Sequence, residues 1–424
     1  MPSVPETSEP QLSPRNRKRL RRHVWYAVLI TLLALLSQYT SLLPVFRDEL
    51  MRYLGIGDRL FGFLFSVGML GSLLTVLPGG ALTDRLGPRR VIRFCLLGVG
   101  LALLLLALAG DRWALLAVGL GLAGLFSGPL YVAINAYLVR LFPGHQRRVL
   151  SLNLAASSAG GVLYPALAEY WLYLAARRPG LGFATVLHAP FVVVGVILLA
   201  ASFIYRAVRP TPGRQFTWGG LFQGADLRLP ASAWWLIVLL AAHGMADNGL
   251  YVWMARFLGS GAFAAQPVPP GVVLAGYAVA YLVSRVLLAA LPEHRGRRKL
   301  LIVPGLAGGA LMLAGLLSRD YWLTSAGYVL GAFCWSAEYP AYLGALAHHH
   351  RRQFGAALAT GQMLTAMLGF LSLNGLGLWA DRVGDANLWH VMLAPAAVFP
   401  LVGLGGWLWA VRYGRATATG DNGD

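Results

Sequence analysis

Apolar residues in this chain run in long blocks, and the polar ones collect in short gaps between them. Twelve blocks of about 20 residues or more lie at roughly 24–46, 60–82, 91–110, 113–139, 149–174, 180–205, 233–257, 271–291, 300–318, 321–347, 355–379 and 388–411. A helix rising about 1.5 Å per residue needs that length to cross a hydrocarbon core of about 30 Å. The pattern predicts an all-α membrane protein with twelve transmembrane helices. The longest gap, 206–232, falls in the middle and separates a six-helix half at 24–205 from another at 233–411; tails occupy 1–23 and 412–424. The first block follows a basic stretch, as the apolar core of a signal peptide would, but it is as long as a full span and lacks a small-x-small cleavage site. It reads as the first transmembrane helix, behind a disordered basic tail.

Composition agrees: 57% of residues are hydrophobic and 12% are charged, against about 25% charged in soluble domains. Mean hydropathy is +0.61. The two cysteines, Cys95 and Cys334, lie in separate apolar blocks and belong to no metal-binding spacing. Only Lys18 and Lys299 are lysines, a bias that reads as codon usage in a GC-rich bacterium and places the spans in a bacterial inner membrane.

The net charge of +18, from 35 basic and 17 acidic residues, raises the possibility of a nucleic-acid partner. Its distribution gives another meaning. With both termini cytoplasmic, 25 Lys and Arg fall on the inner side, 9 on the outer side, and Arg285 inside a span. That asymmetry is the positive-inside rule, and no aromatic-interleaved basic patch accompanies it. The lipid bilayer is therefore the expected partner, and nucleic acid is not.

An internal repeat organises the chain further. A shift of 209 residues lays Gly80–Arg90 on Ala289–Lys299 and matches Asp84 to Glu293, Gly87 to Gly296, and Arg89 and Arg90 to Arg298 and Lys299. The motif Gly80-x-Leu82-x-Asp84-Arg85-x-Gly87-x-Arg89-Arg90 resembles the signature between helices 2 and 3 of the major facilitator superfamily, with Pro88 where the family often has Arg. The resemblance implies two six-helix bundles around a central cavity that opens alternately to each side. It also implies that Asp84, supported by Arg85, Arg89 and Arg90, helps latch the cytoplasmic side. On chemistry alone, Gly80 permits close helix approach, and Asp84 can accept bonds from arginines and helix N-terminal amides. A plain turn with orientation signals is the alternative.

Polar residues inside spans are costly and so point to the cavity. The candidates are Gln38 and Tyr39 in the first span; Tyr131 and Asn135 in the fourth; Asn153 in the fifth; His243, Asp247, Asn248, Tyr251 and Trp253 in the seventh; Arg285 in the eighth; Trp335 and Glu338 in the tenth; and Gln362 in the eleventh. His243, Asp247 and Tyr251 follow at four-residue spacing and share a helix face, which suits a proton relay or a plain helix–helix bond. Glu338 precedes Pro340, a helix breaker. It reads as a proton or substrate site, or as an ion-pair partner of Arg285.

The stretch Gly128-Pro129 to Tyr137 is similar to helix 4 of the fucose-proton symporter branch, although Gln38 stands where proton–sugar symporters carry an acid. Tyr131, Tyr251, Trp253 and Trp335 can stack on a sugar ring or line a membrane interface. A drug or metabolite antiporter is the rival; its usual Arg in helix 4 is missing, and helix 5 has Tyr164-Pro165 where Gly-Pro is typical. A transport-inactive sensor of the same fold is the other alternative. Neither a Gly-x4-Gly-Lys-Ser/Thr loop nor a His-Glu-x-x-His helix is present, so no enzyme, cofactor or metal is expected. His348-His349-His350 reads as a solvated run rather than a metal site. The expectation is a monomeric secondary transporter for a small organic solute, coupled to protons.

Overall fold

Long apolar sequences with internally satisfied backbones leave the helix as the economical choice in lipid, and every regular element among the described residues is helical. The computed structural model describes residues 25, 28–29, 31–43, 46–56, 58–177, 183–206, 229–260, 262–263, 267–292, 297–350 and 353–413. Residues 31–36 are helical and tighten into a 3-10 turn at Ser37–Leu42. There follow α1 (Arg47–Leu54), α2 (Asp58–Leu86), α3 (Pro88–Ala107), α4 (Trp113–Leu141), α5 (Gln146–Arg177) and α6 (Phe183–Arg206). The later part contains α7 (Ala231–Leu258), α8 (Pro270–Ala290), the short α9 (Arg297–Leu300), α10 (Val303–Ser318), α11 (Tyr321–Trp335), α12 (Glu338–His349), α13 (Phe354–Val383) and α14 (Leu388–Tyr413).

Among the described residues, nine helices are long and apolar enough to cross a membrane. Of the three expected spans not among them, the first block is only partly described, and the other two have physical causes. Helix α5 is 32 residues long, but Asn153, Ser157 and Ser158 dilute its hydropathy. The tenth block is divided into α11 and α12, of 15 and 12 residues, by a turn at Ser336–Ala337. Pro340 lies four residues after Ser336; it has no N–H for that carbonyl, and its ring collides with it. Gly87, at φ +83° between α2 and α3, makes the turn in the repeated motif, a conformation that glycine adopts without steric cost.

Small residues allow the helices to approach. A methyl on Gly128 of α4 would lie 2.8 Å from the Ser72 carbonyl of α2, and one on Gly308 of α10 would lie 2.7 Å from the Gly331 carbonyl of α11. Two apolar clusters each stay within one half of the sequence, one spanning Leu33–Ala201 and the other Ala246–Phe399. A third cluster joins the halves, packing Val76, Val132 and Leu154 with Leu236, Leu343 and Leu358. It lies towards the end carrying the Gly87 turn between α2 and α3. Leu74, Phe94, Leu101, Leu317 and Leu401 present bare side chains around the outside, a surface suited to lipid.

Candidate transport cavity and coupling site

A cavity of about 300 Å³ opens where the halves meet. Its polar lining comes from Ser37, Gln38, Ser72, Ser127, Tyr131, Asn153 and Ser157 on one side and from Asn248, Gln362 and Thr365 on the other. None of the lining side chains is charged. Gln38 leaves helical geometry, with ψ at +17°, at the 3-10 turn and donates to Ser157 Oγ at 2.6 Å. Asn153 Nδ2 donates to Asn135 Oδ1 at 3.3 Å, and Asn135 Nδ2 donates to the Tyr131 carbonyl at 2.8 Å. The other Asn153 atom, Oδ1, is buried without a hydrogen-bond partner among the described residues. A buried acceptor in that condition costs about 1–3 kcal/mol.

The candidates read from sequence divide. Gln38, Tyr131, Asn153, Asn248 and Gln362 line the cavity. Asn135 is fully buried behind Asn153, and Tyr39 is buried with its hydroxyl 3.4 Å from Ser127 Oγ. Trp335 is also fully buried, stacked on Phe399 at 4.2 Å, so no solute can stack on it. Trp253 packs on α13 at Gly377 and lies under Arg256 at 5.4 Å, away from the cavity lining. The small hydroxyls Ser37, Ser72, Ser127, Ser157 and Thr365 were not legible, because a serine or threonine in a span satisfies itself on its own helix and carries little penalty signal. Thr365, for example, donates to the Gly361 carbonyl at 2.8 Å.

Beside the cavity lies a buried ion-pair geometry. His243 Nδ1 and Glu338 Oε2 are 2.9 Å apart, with both side chains almost inaccessible. Phe399 meets the His243 ring edge-on at 5.3 Å, and Tyr339 lies at 5.7 Å. Gly305 makes room for Glu338 Oε1, since any β-carbon there would overlap the carboxyl group. Tyr339 connects this pair to the cavity. Its hydroxyl is 3.4 Å from that of Tyr131 and accepts from Gln362 Nε2.

This arrangement gives the residues of the shared α7 face separate partners. His243 and Asp247 are one turn apart, yet they meet different partners because the chain breaks between Trp335 and Glu338. Trp335 donates to Asp247 at 3.1 Å, while Glu338 turns to His243. Arg285 is not paired with Glu338 either. It reaches across to α5, donating to the Leu154 carbonyl at 3.0 Å and Ser158 Oγ at 2.6 Å, with its guanidinium 4.5 Å from the Tyr281 ring.

The repeated motif also has different partners from those its spacing suggests. Asp84 pairs with Arg140 at the end of α4, at 2.8 Å, and accepts the backbone amide of Ala356 at the start of α13. Arg89 instead donates to Tyr137 Oη at 2.7 Å, and Arg90 is exposed; no ion pair to Asp84 from Arg85, Arg89 or Arg90 is found among the described residues. Glycines set the closeness of α2 and α13: a methyl on Gly355 would lie 2.6 Å from both Asp84 carboxylate oxygens, and one on Gly80 would lie 2.6 Å from Ala359 Cβ. In the other repeat Glu293 and Gly296 lie outside the described residues, and Arg298 is exposed on α9. There the cross-half contact is made by buried Arg147 of α5, which donates to the Pro292 carbonyl at 2.6 Å and the Leu291 carbonyl at 3.2 Å. In sequence Arg140 and Arg147 look like two more orientation charges. No group of three metal-binding side chains occurs among the described residues, His348–His350 included.

Apolar helices with a lipid-suited exterior, joined at one end around a polar cavity, define a multi-pass membrane transporter. A profile of the Major Facilitator Superfamily matches residues 27–372, and the chain belongs to that family, whose members are transporters rather than enzymes. No curated protein sequence matches the chain at a significant level. Among solved structures, the Escherichia coli fucose:proton symporter FucP is similar at 17% identity, covering 91% of this chain and 99% of that one, with a TM-score of 0.75. The proton:xylose symporter XylE bound to 6-bromo-6-deoxy-D-glucose is similar at 13% identity, over 91% and 94% of the two chains, with a TM-score of 0.71. A human organic anion transporter, TETRAN, is similar at 16% identity over 91% and 99%, with a TM-score of 0.68. Likeness at these identities establishes the shared fold.

Proposed function

We propose that the protein is a proton-coupled symporter that moves a small, neutral, polyhydroxyl solute of sugar-like chemistry by alternating access. The observation that carries this reading is the cavity lining, which offers hydroxyls, amides and a tyrosine but no charged side chain. An organic anion would be desolvated there without a counter-charge, at a cost of several kcal/mol, whereas a sugar exchanges its water hydrogen bonds for those of the lining. The fold shared with FucP and XylE supports the same direction.

In this reading the proton site is the His243–Glu338 pair. A carboxyl group and an imidazole in contact away from water can hold one proton more or less, and Tyr339 reports the change to the solute through Tyr131 and Gln362. The end bearing the Asp84 latch faces the cytoplasm of a bacterial inner membrane, both termini lie there, and the halves 24–205 and 233–411 are the two rocking bundles of a monomer. The cross-half contacts at Asp84 and Arg147 then hold the cytoplasmic side shut, so the conformation is outward-open.

The decisive experiment is uptake into proteoliposomes by the purified full chain, screening neutral sugars, organic acids and cationic drugs with and without an imposed pH gradient. Gradient-driven accumulation of a neutral sugar is expected. Accumulation of cationic drugs driven by the opposite gradient would establish the antiport alternative instead. Lack of flux for every class would favour the sensor.

A further inference from the structure

Among the described residues, three hydrogen bonds reach the Asp247 carboxylate and all end on the same oxygen. Oδ1 accepts from Tyr277 at 2.5 Å, from Tyr281, and from Trp335 Nε1 at 3.1 Å. The donors are themselves fixed. Trp335 Nε1 also reaches the Tyr281 hydroxyl at 2.6 Å, Trp335 is stacked on Phe399, and Tyr277 is stacked between Tyr281 and Tyr328 at 4.5 and 4.8 Å. A carboxylate has about four acceptor positions on its two oxygens. Here one oxygen is saturated by neutral donors, while Oδ2 has no hydrogen bond, and no Lys, Arg or His forms an ion pair with Asp247, among the described residues.

The open oxygen is accessible. Asp247 is half-buried, and one turn along α7 the ring of Tyr251 is exposed, within electrostatic reach of Asp247 and 5.6 Å from Tyr277. The intervening Asn248 lines the central cavity. A fixed carboxylate oxygen next to an exposed aromatic face matches a sugar, which presents adjacent hydroxyls on its edge and C–H groups on its face.

We propose that Asp247 and Tyr251 form a second solute subsite at the edge of the central cavity, where Oδ2 accepts two neighbouring hydroxyls and the Tyr251 ring packs against the C–H face. This rests on the sugar-like reading above. Hydroxyl donors are favoured over an ammonium group because Arg285 holds its guanidinium over the ring of Tyr281, one of the tyrosines bound to Asp247. A cation at Oδ2 would be opposed by that fixed positive charge, and hydroxyls would not.

The test is equilibrium binding of L-fucose, D-glucose and D-glucosamine to the purified full chain in lipid nanodiscs, alongside proteoliposome uptake over a range of pH. Wild type should bind a neutral sugar. Asp247→Ala should weaken that binding by about tenfold or more, as for loss of a hydrogen bond to a charged group. Asp247→Asn keeps the shape, but its single oxygen is held by the three fixed donors, so an amide N–H faces the solute and can donate to a hydroxyl oxygen; it should weaken binding less than Asp247→Ala, and that graded order separates the subsite from a folding failure. Tyr251→Leu should weaken binding several-fold and Tyr251→Phe little, with the pH profile of residual uptake unchanged in all of them. Wild-type affinity in Asp247→Ala and Tyr251→Leu would overturn the subsite alone and leave the sugar reading intact. Loss of the pH response in Asp247→Asn would reassign Asp247 to proton coupling. Tighter binding of glucosamine than glucose, abolished in Asp247→Asn, would make it an ammonium site. If wild type binds no neutral sugar, the subsite and the sugar reading both fall.

Discussion

Glu338 and Tyr339 are adjacent in sequence and face different environments. Glu338 is buried against His243, whereas Tyr339 reaches the cavity residues Tyr131 and Gln362. In the proposed mechanism, a solute at Tyr131 is therefore coupled through Tyr339 to the backbone carrying the carboxyl group. Two outcomes follow if this pair is the proton site. Glu338→Gln keeps a hydrogen-bonding group opposite His243 but removes its ionisation. Accumulation driven by a pH gradient should fall to the level of simple equilibration, while counterflow exchange of labelled solute should persist; wild-type accumulation would exclude the pair. His243→Ala leaves an uncompensated buried acid and should destabilise the protein by about 3–5 kcal/mol, read as a lower midpoint of thermal unfolding in detergent. The types of these residues and their depth in the spans were legible in sequence. Their pairing was not, because four-residue spacing describes one helix face and says nothing about which neighbour meets each turn.

At the scale of elements, each proposed latch contact puts a charge at or just beyond a helix end. Asp84 accepts the Ala356 amide in the first turn of α13, which complements the helix dipole, and Arg147 donates to the Leu291 and Pro292 carbonyls just past the end of α8. A charge at a helix end is worth about 0.3–2 kcal/mol, small enough to break in each turn of the proposed cycle. Asp84→Asn should slow turnover several-fold and leave solute binding unchanged; equal turnover would remove Asp84 from the latch. Gly355→Ala forces a methyl against both Asp84 oxygens. It should open the latch end, measured as faster thiol labelling of a cysteine placed at Ser157, and unaltered labelling would show that α2 and α13 do not gate that end. The repeat in the sequence located the first of these elements, and its glycines and acid were visible there. Arg140 and Arg147 were not, since an arginine near a span end looks the same whether it faces lipid headgroups or caps a neighbouring helix.

For the whole molecule, the 25 to 9 division of basic residues sets the expected orientation, and each misplaced Lys or Arg would cost insertion energy. A green fluorescent protein fused after Asp424 should fluoresce, and alkaline phosphatase fused there should be inactive; the reverse result would invert the topology and put the latch outside. Membrane residence, helical class and the superfamily were all determined by the sequence alone, because they depend on quantities that accumulate along the chain: apolar run length, charge between runs, and a motif of local spacing. Tertiary structure decided that Trp335 supports Asp247 rather than a solute, that Arg285 holds α5 rather than Glu338, and that the cavity is lined with serines and amides. These depend on which faces of distant helices meet, and within lipid close packing and hydrogen bonding, more than hydrophobicity, select those faces.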